Sequence, residues 1–474
     1  AFRLHLEGNI TEATKYYQYC LDNNFNDPKV LMSYGIILKD LGNLKDAIKL
    51  TCKAIKLKPD SVEAYANVGT FFRENSNFKE AESFTRKAIK LNPNSATLYQ
   101  NLGNILQDQM KLEEAEIVTR KAIRINPKLV KSYICLVSIL QKRGELNESE
   151  LLLHKAITLN PDSPVLYQTL GGILLEKNKL EEAEIVTRKA IRMNPTLMQS
   201  YIYLANILKQ GSHLEEAEIV LLKAIELKPD FTDAIYNLSY IQMFQGNYVS
   251  GLKNYEARFK IKEFKLHAQP QIPRWYGEIP LEEKKLLIIS EQGLGDTIHF
   301  MRYIPYLRQQ GYEVIFCAQD SLHSILKESG IDSNPITAQE ANQITDGKYC
   351  PLLSVPLHLG VNKNNPIISE PYISITKDLT AKWKAIFEEE ERPIIGISWQ
   401  GNPDIENDFI NRRSIALEVF SKLAKIEQFR FLSLQKGFGS EQLEYCSFKN
   451  KFVNSQGLVS STCDFSDTAA HIKN

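Results

Sequence analysis

The sequence lacks several features that would narrow its role at once. It has no surplus of charge, since 57 Lys plus Arg residues balance 57 Asp plus Glu. Nothing therefore draws the whole chain toward nucleic acid or an anionic membrane. It has no Cys-x-x-Cys pair; the cysteines stand apart at 20, 52, 135, 317, 350, 446 and 463. An odd, scattered set fits a reducing compartment better than a disulfide framework, so a cytoplasmic location is expected. It has no apolar run long enough to cross a bilayer and no signal peptide. Nor does it have the composition of a disordered chain, with 21 Phe, 21 Tyr and 43% apolar residues. At 474 residues it has room for two or more domains.

What the first half has instead is one unit, repeated. Steps of 34 residues from Gly69 reach Gly35, Gly103, Val137, Gly171, Ala205 and Ser239, all small except Val137. A second small series, 12 residues on, runs Ala47, Ala81, Ala115, Ser149, Ala183, Ala217 and Gly251. A third holds Ala54, Ala88, Ala122, Ala156, Ala190 and Ala224. Prolines close the units at Pro59, Pro93, Pro127, Pro161, Pro195 and Pro229, where each is expected to begin a new helix. Large apolar residues recur at helical spacing within each half-unit, so the pattern predicts helix pairs that touch at the small positions. One pair cannot bury its own apolar face, and the units must stack into a right-handed solenoid.

The period and its small positions resemble the tetratricopeptide repeat (TPR) family. The resemblance covers residues 1–262, as seven full units preceded by one second helix with Gly8, Asn9 and Ala13. A stack that opens on half a unit has no cap, which predicts a natural chain that starts further upstream. The resemblance implies a protein or peptide partner on the concave face, read by the first helix of each pair. Tyr65, Tyr99, Tyr133, Tyr167 and Tyr201 recur at one repeat position, either as a recognition stripe or as packing between helices. Asn67, Asn101 and Asn237, two residues further on, are candidates to hold a peptide backbone. The string Leu-Glu-Glu-Ala-Glu-Ile-Val-Thr-Arg-Lys-Ala-Ile stands unchanged at 112–123 and 180–191. It reflects recent duplication or the demands of stacking and names no ligand.

Residues 263–284 form a seam, where Pro270, Pro273 and Pro280 rule out a helix. Trp275 and Tyr276 are expected to pin the solenoid to the next domain, with a ligand cleft as the alternative. Beyond the seam the texture alternates. Strands are expected at 286–290 and 312–318, with a helix over 296–310 between them and another over 321–330. A second run predicts strands at 393–400 and 429–435 flanking a helix near 415–425. Such β-α-β order implies parallel sheets covered by helices, here as two α/β parts, 285–390 and 391–474. Ligands of these sheets sit at the carboxyl ends of strands.

The first such end reads Glu-Gln-Gly-Leu-Gly-Asp, residues 291–296. It lacks the Lys-Ser/Thr of a Walker loop and the third glycine of a dinucleotide fingerprint. Between a strand and a helix, however, Gly293 and Gly295 allow a diphosphate close to free backbone amides. Asp296 is open to two roles, helix cap or general base at a cleft mouth. His299 is a second candidate base or a packed histidine.

These residues, continued through Thr-Ile-His-Phe-Met-Arg-Tyr-Ile-Pro, resemble the opening loop of the heptosyltransferase-like GT-B glycosyltransferases. TPR units before such a domain are similar to the arrangement in O-GlcNAc transferases. The resemblance implies Asp296 as general base and a nucleotide-sugar donor as substrate. The stretch 396–423 resembles the first loop of the donor-binding half, where Arg412 or Arg413 would contact the donor phosphates. Gln435, Lys436 and Glu441 would run beside the nucleotide. Charge on the departing diphosphate is then offset by Arg, Lys and helix-end amides, so no metal and no permanently bound cofactor is expected. Asp404, Glu406 and Asp408 lack the spacing of a cation loop. Only about 80 residues come after 393, roughly half of a full domain of this kind. The expected fold is thus an α-solenoid of TPR units followed by a GT-B-like α/β region, two Rossmann-like domains with the second incomplete. Glycosyl transfer to a protein or glycan held by the solenoid is the leading expectation. A non-catalytic protein-binding scaffold is the alternative, and a different sugar-nucleotide enzyme a third.

Overall fold

The computed structural model describes residues 1–23, 25–261, 264–277, 284–291, 293–367, 370–403, 414–462 and 464–473. The chain divides into two compact units, Ala1–Gly211 and Ser212–Asn474. Helices of the repeat series lie in both.

The first unit opens with α1 (Phe2–Leu6) and α2 (Ile10–Asp22). Helical pairs come next: α3 (Pro28–Asp40) with α4 (Leu44–Leu57), α5 (Val62–Glu74) with α6 (Phe78–Leu91), and α7 (Ala96–Asp108) with α8 (Leu112–Ile125). Beyond them lie α9 (Val130–Lys142) with α10 (Leu146–Leu159), α11 (Pro164–Glu176) with α12 (Leu180–Met193), and then α13 (Met198–Gln210). Side chains cap several starts, as Asn43 does for the Asp46 amide and Ser61 for that of Ala64. The unit-closing prolines differ from expectation. Pro59 lies in the turn after Lys58, the C-cap of α4, where it blocks continuation rather than starting a helix. Pro28 and Pro164 are the ones in a first helical turn.

The small positions mark the closest approach within each pair. A Cβ on Gly35 would stand 2.5 Å from the Thr51 hydroxyl, and Gly69/Thr85, Gly103/Thr119 and Gly171/Thr187 repeat this contact. Two of those hydroxyls also bond their own helix, Thr51 to the Ala47 carbonyl at 2.9 Å and Thr119 to the Ala115 carbonyl at 2.7 Å. Where Val137 replaces glycine, the residue 16 positions on is Leu153 instead of Thr, and both are buried.

Between pairs, long charged side chains form a staggered ladder on the second helices. Glu82 takes Arg86 of its own helix at 2.8 Å and Lys111 of the next repeat at 3.0 Å. Glu116 repeats this with Arg120 and Arg143, whereas Glu150 takes both cations, Lys177 and Lys179, from the next repeat. Arg120 also reaches forward to Glu148 at 2.6 Å. Burial works against the charged forms of Glu82 and Glu150, but these cations outweigh it and hold both carboxyls below the ordinary glutamate range. Successive first helices pack directly on one another, α3 on α5 through to α11 on α13, and so line the inner side of the stack.

In the second unit α14 (Leu214–Leu227), α15 (Thr232–Phe244) and α16 (Tyr248–Tyr255) end in a 3₁₀ turn, Glu256–Lys260. The first α/β part holds β1 (Lys285–Ile289), α17 (Leu294–Phe300), α18 (Tyr303–Gln309), β2 (Glu313–Cys317), α19 (His323–Glu328), α20 (Ala338–Ala341), β3 (Lys348–Pro351) and α21 (Val355–His358). After α22 (Lys377–Phe387) come β4 (Ile394–Ile397), a 3₁₀ run Leu417–Lys425, and β5 (Arg430–Ser433). The last elements are α23 (Gln442–Tyr445), α24 (Gln456–Ser461) and α25 (Phe465–Lys473). Both sheets are parallel, in the orders β2-β1-β3 and β4-β5. The expected α-solenoid followed by an α/β region is the fold observed.

Strand β1 is central, and its alternate residues feed two clusters. Leu286 and Ile288 pack with Met301, Ile304 and Leu307, whereas Leu287 and Ile289 pack with Ala268, Ile272 and Ala341. The helix expected over 296–310 is broken at residues 301–302 because Pro305 has no amide and its ring crowds the carbonyl of residue 301. Trp275 is buried against Tyr312 and His358, and its backbone pairs with Tyr349 of β3, while Tyr276 is exposed.

A buried polar knot ties the last repeat to β1. The Arg258 guanidinium meets the Glu291 carboxylate with two hydrogen bonds, Nε to Oε2 at 2.8 Å and Nη2 to Oε1 at 3.0 Å, and neither side chain reaches solvent. The Leu353 amide donates to Glu291 at 2.8 Å, and Arg258 also donates to Ser354 and to Glu256. Burial pushes the Glu291 carboxyl up against the pull of Arg258, so its charge depends on that partner.

Two stability measurements check these contacts. Gly69→Ala should cost about 1–3 kcal/mol in urea unfolding by overpacking against Thr85, and Thr85→Ala in the same chain should recover part of it. Arg258→Ala should cost about 3–5 kcal/mol by stranding Glu291, and replacing both residues with Met should cost less than Arg258→Ala alone.

Candidate functional site

Two surfaces carry the candidate residues. On the first helices, the tyrosine series is occupied with packing. Tyr133 is fully buried and donates to the Pro127 carbonyl at 3.0 Å. Tyr99 and Tyr167 lie under Lys121 and Lys189, 4.3 and 4.1 Å from the ring centres. Tyr201 is buried, and Tyr65 faces the Phe84 ring. The asparagines behave differently. Asn67 and Asn101 are half-buried on α5 and α7, and neither amide has a hydrogen-bond partner among the described residues. Asn237 donates to the Asp233 carbonyl of its own helix at 2.8 Å.

The second surface starts at the carboxyl end of β1. Its first residue, Glu291, points inward to Arg258 and serves the fold. Gly293 then caps α17, and its amide donates to Asp296 Oδ2 at 3.1 Å. Asp296 therefore acts as a cap while remaining part-exposed. Gly295 has open space where a Cβ would stand, so packing does not require glycine there. Thr297 is buried and donates to Gln319 at 2.9 Å, fixing α17 to the loop after β2. His299 is exposed; partial burial of its ring and then the Arg302 guanidinium push its pKa below the usual imidazole value, with Asp296 pulling the other way. Arg302 bonds the His299 carbonyl at 2.8 Å and stacks on Tyr372, whose hydroxyl bonds the Ile298 carbonyl. Arg302 and Tyr372 carried no signal in the sequence beyond residue type.

At the ends of β4 and β5 the loops are clasped together by Gln435. Its Oε1 accepts from the Ser398 hydroxyl and the Trp399 and Gln400 amides at 3.0–3.1 Å, and its Nε2 donates to the Gln400 and Phe438 carbonyls. Gly439 has φ +84° and lies where any Cβ would strike Gln400. Lys436 donates to the Val459 carbonyl and to Thr462, placing its ammonium at the carboxyl end of α24, where the helix dipole favours a cation. Glu441 is exposed. Arg412 and Arg413, like Asp404, Glu406 and Asp408, lie outside the described residues.

Beside these loops, a groove of about 920 Å³ follows the edge of β4, lined among others by Ile394, Gly396, Leu434 and His471. His471 stands edge-on to Trp383, ring centres 4.0 Å apart, and burial followed by Lys436 lowers its pKa to about 4. Among the described residues no group of three His, Cys, Asp or Glu side chains is placed to hold a metal ion. No described helix is long and apolar enough to cross a membrane.

Comparison with known proteins bears on the repeats. A family model described as tetratricopeptide repeat matches residues 84–117, and a second of the same description matches 28–61, 62–95, 165–197 and 199–231. No curated protein matches the chain. Among solved structures, yeast Tom70 is similar with 22% identity and a TM-score of 0.46, over 53% of this chain and 55% of that one. The chain thus spans little more than half of the yeast structure. YrrB, a TPR protein, is similar with 22% identity and a TM-score of 0.30, over 39% of this chain and 96% of that one. A thermophilic TPR protein of Thermus thermophilus has 21% identity and a TM-score of 0.34, over 38% of this chain and 98% of that one. The helical pairs of the first unit are tetratricopeptide repeats.

Proposed function

We propose that the repeats form a protein-binding scaffold and hold an extended segment of a partner along the side lined by the first helices. The observation that carries this reading is the pair Asn67 and Asn101. They stand one repeat apart on that side, and their amides are unspent. An asparagine amide both donates and accepts, so it can satisfy an N–H and a C=O of one peptide backbone whatever that peptide's side chains are. The neighbouring tyrosines, by contrast, are committed to packing.

A second reading adds glycosyl transfer by the α/β region, in line with the GT-B resemblance. It is favoured by one specific observation: the open space over Gly295 beside part-exposed Asp296, at the carboxyl end of a parallel strand. On this reading Asp296 is the general base, with His299 as its alternate. Gly293 and Gly295 admit the diphosphate of a nucleotide sugar, and Arg412, Arg413, Gln435 and Lys436 serve the donor. The Gly293 amide occupies Oδ2 of Asp296, so on this reading the proton is taken by Oδ1.

Two experiments separate the readings. Peptides selected from a random display library on the full chain should bind about tenfold more weakly to Asn67→Ala/Asn101→Ala, the size of two neutral hydrogen bonds; equal binding would remove the scaffold reading's support. A panel of UDP, GDP and ADP sugars should give a calorimetric signal under the transferase reading. Asp296→Ala should then abolish turnover with nearly unchanged donor affinity, and weaker donor binding at unaltered rate would contradict the base assignment.

A further inference from the structure

The outer side of the first unit carries a feature that peptide binding on the inner side does not use. Ile117, Leu151 and Ile185 are 65%, 71% and 67% exposed. They occupy the same repeat position, 34 residues apart, on α8, α10 and α12. Three large apolar side chains held in water on neighbouring helices form a stripe, where isolated exposed residues would need no explanation. Between α8 and α10, beside Ile117, lies a groove bordered by Ile123, Leu136 and Leu152. The apolar character survives in α10, where the surrounding string differs from that of α8 and α12.

The charges beside the stripe decide what covers it. One turn before it stand Glu113 and Glu181; one turn after it stands Lys155, and two turns after it Arg124 and Arg192, all exposed. The ladder charges, Glu82 to Lys179, are paired within the solenoid. These flanking ones have no ion-pair partner among the described residues. The stripe is therefore bordered by an unpaired acidic row on one side and an unpaired basic row on the other.

We infer that this face binds a second copy of the chain, through a two-fold axis running along the stripe. That rotation lays the stripe on itself and reverses every helix. The Glu113–Glu181 row of one copy then lies over the Arg124–Lys155–Arg192 row of the other, twice per dimer. A two-fold axis along the helices would instead set acid over acid, so the charge pattern selects one arrangement.

Sedimentation of the full chain tests this. The wild type should reach twice the 54.1 kDa of one chain at concentrations up to ~1 mM. The I117E/L151E/I185E variant should stay at one chain mass with an unchanged thermal melt, because these side chains are already exposed. Glu113→Lys with Glu181→Lys should weaken association about tenfold, and adding Arg124→Glu, Lys155→Glu and Arg192→Glu should restore it. A wild type that stays at one chain mass throughout would overturn the proposal and leave the stripe to another partner. So would a dimer indifferent to the triple glutamate change, or a doubly reversed chain that fails to reassociate.

Discussion

Everything in the second unit turns on the pairing of Arg258 with Glu291 away from water. Two opposite charges without solvent must be matched atom for atom, and here each also has a further donor or acceptor within reach, in Leu353, Ser354 and Glu256. Arg258 belongs to the tail of the repeat series, whereas Glu291 opens the loop that carries Gly293, Gly295 and Asp296. The position of that loop is thus set by the last repeat as much as by the strand before it. Trp275 supports the same joint, since its ring lies in one cluster with Tyr255 of α16 and with Leu286 and Ile288 of β1.

The two candidate surfaces differ in how their polar groups are spent. At the ends of β4 and β5, Gln435 uses both ends of its amide on neighbouring loops, and Lys436 is held by the end of α24. A side chain so occupied sets the shape of a loop, and contact with a ligand would have to displace an existing bond. On the inner side of the repeats, Asn67 and Asn101 carry no such obligation. This contrast places the scaffold reading ahead of the transferase reading.

How much was legible in the sequence followed the range of the interactions. Helix pairs, their 34-residue period and their small contact positions depend on neighbours a fixed number of residues apart, and periodicity reports them directly. Four of the described parallel strands were legible as apolar runs between helical stretches, whereas β3, Lys348–Pro351, is too short and too polar to stand out. Pro305 was visible but read inside one continuous helix, although its clash with the carbonyl of residue 301 divides α17 from α18. The ladder through Glu82, Glu116 and Glu150 looked like ordinary helix-surface charge, because nothing local says which lysine or arginine of the next repeat will reach it. Arg258 and Glu291 carried no mark at all. Their meeting depends on how a solenoid tail lies against a sheet, which neither residue's sequence neighbours encode. The glycine loop was found, and its inward-facing carboxylate was not.

The glycine–threonine contact within four of the helical pairs bears on how such an array can change over time. Thr85 leaves room for nothing larger than glycine at position 69, and the repeat that carries Val137 has Leu153 at the position corresponding to Thr85. Genetic exchange between repeats that breaks in the turn joining two such helices would combine a bulky first helix with a second helix from another lineage. Crossovers at the unit-closing prolines keep matched halves together, so whole repeats are the pieces this protein can gain, lose or trade.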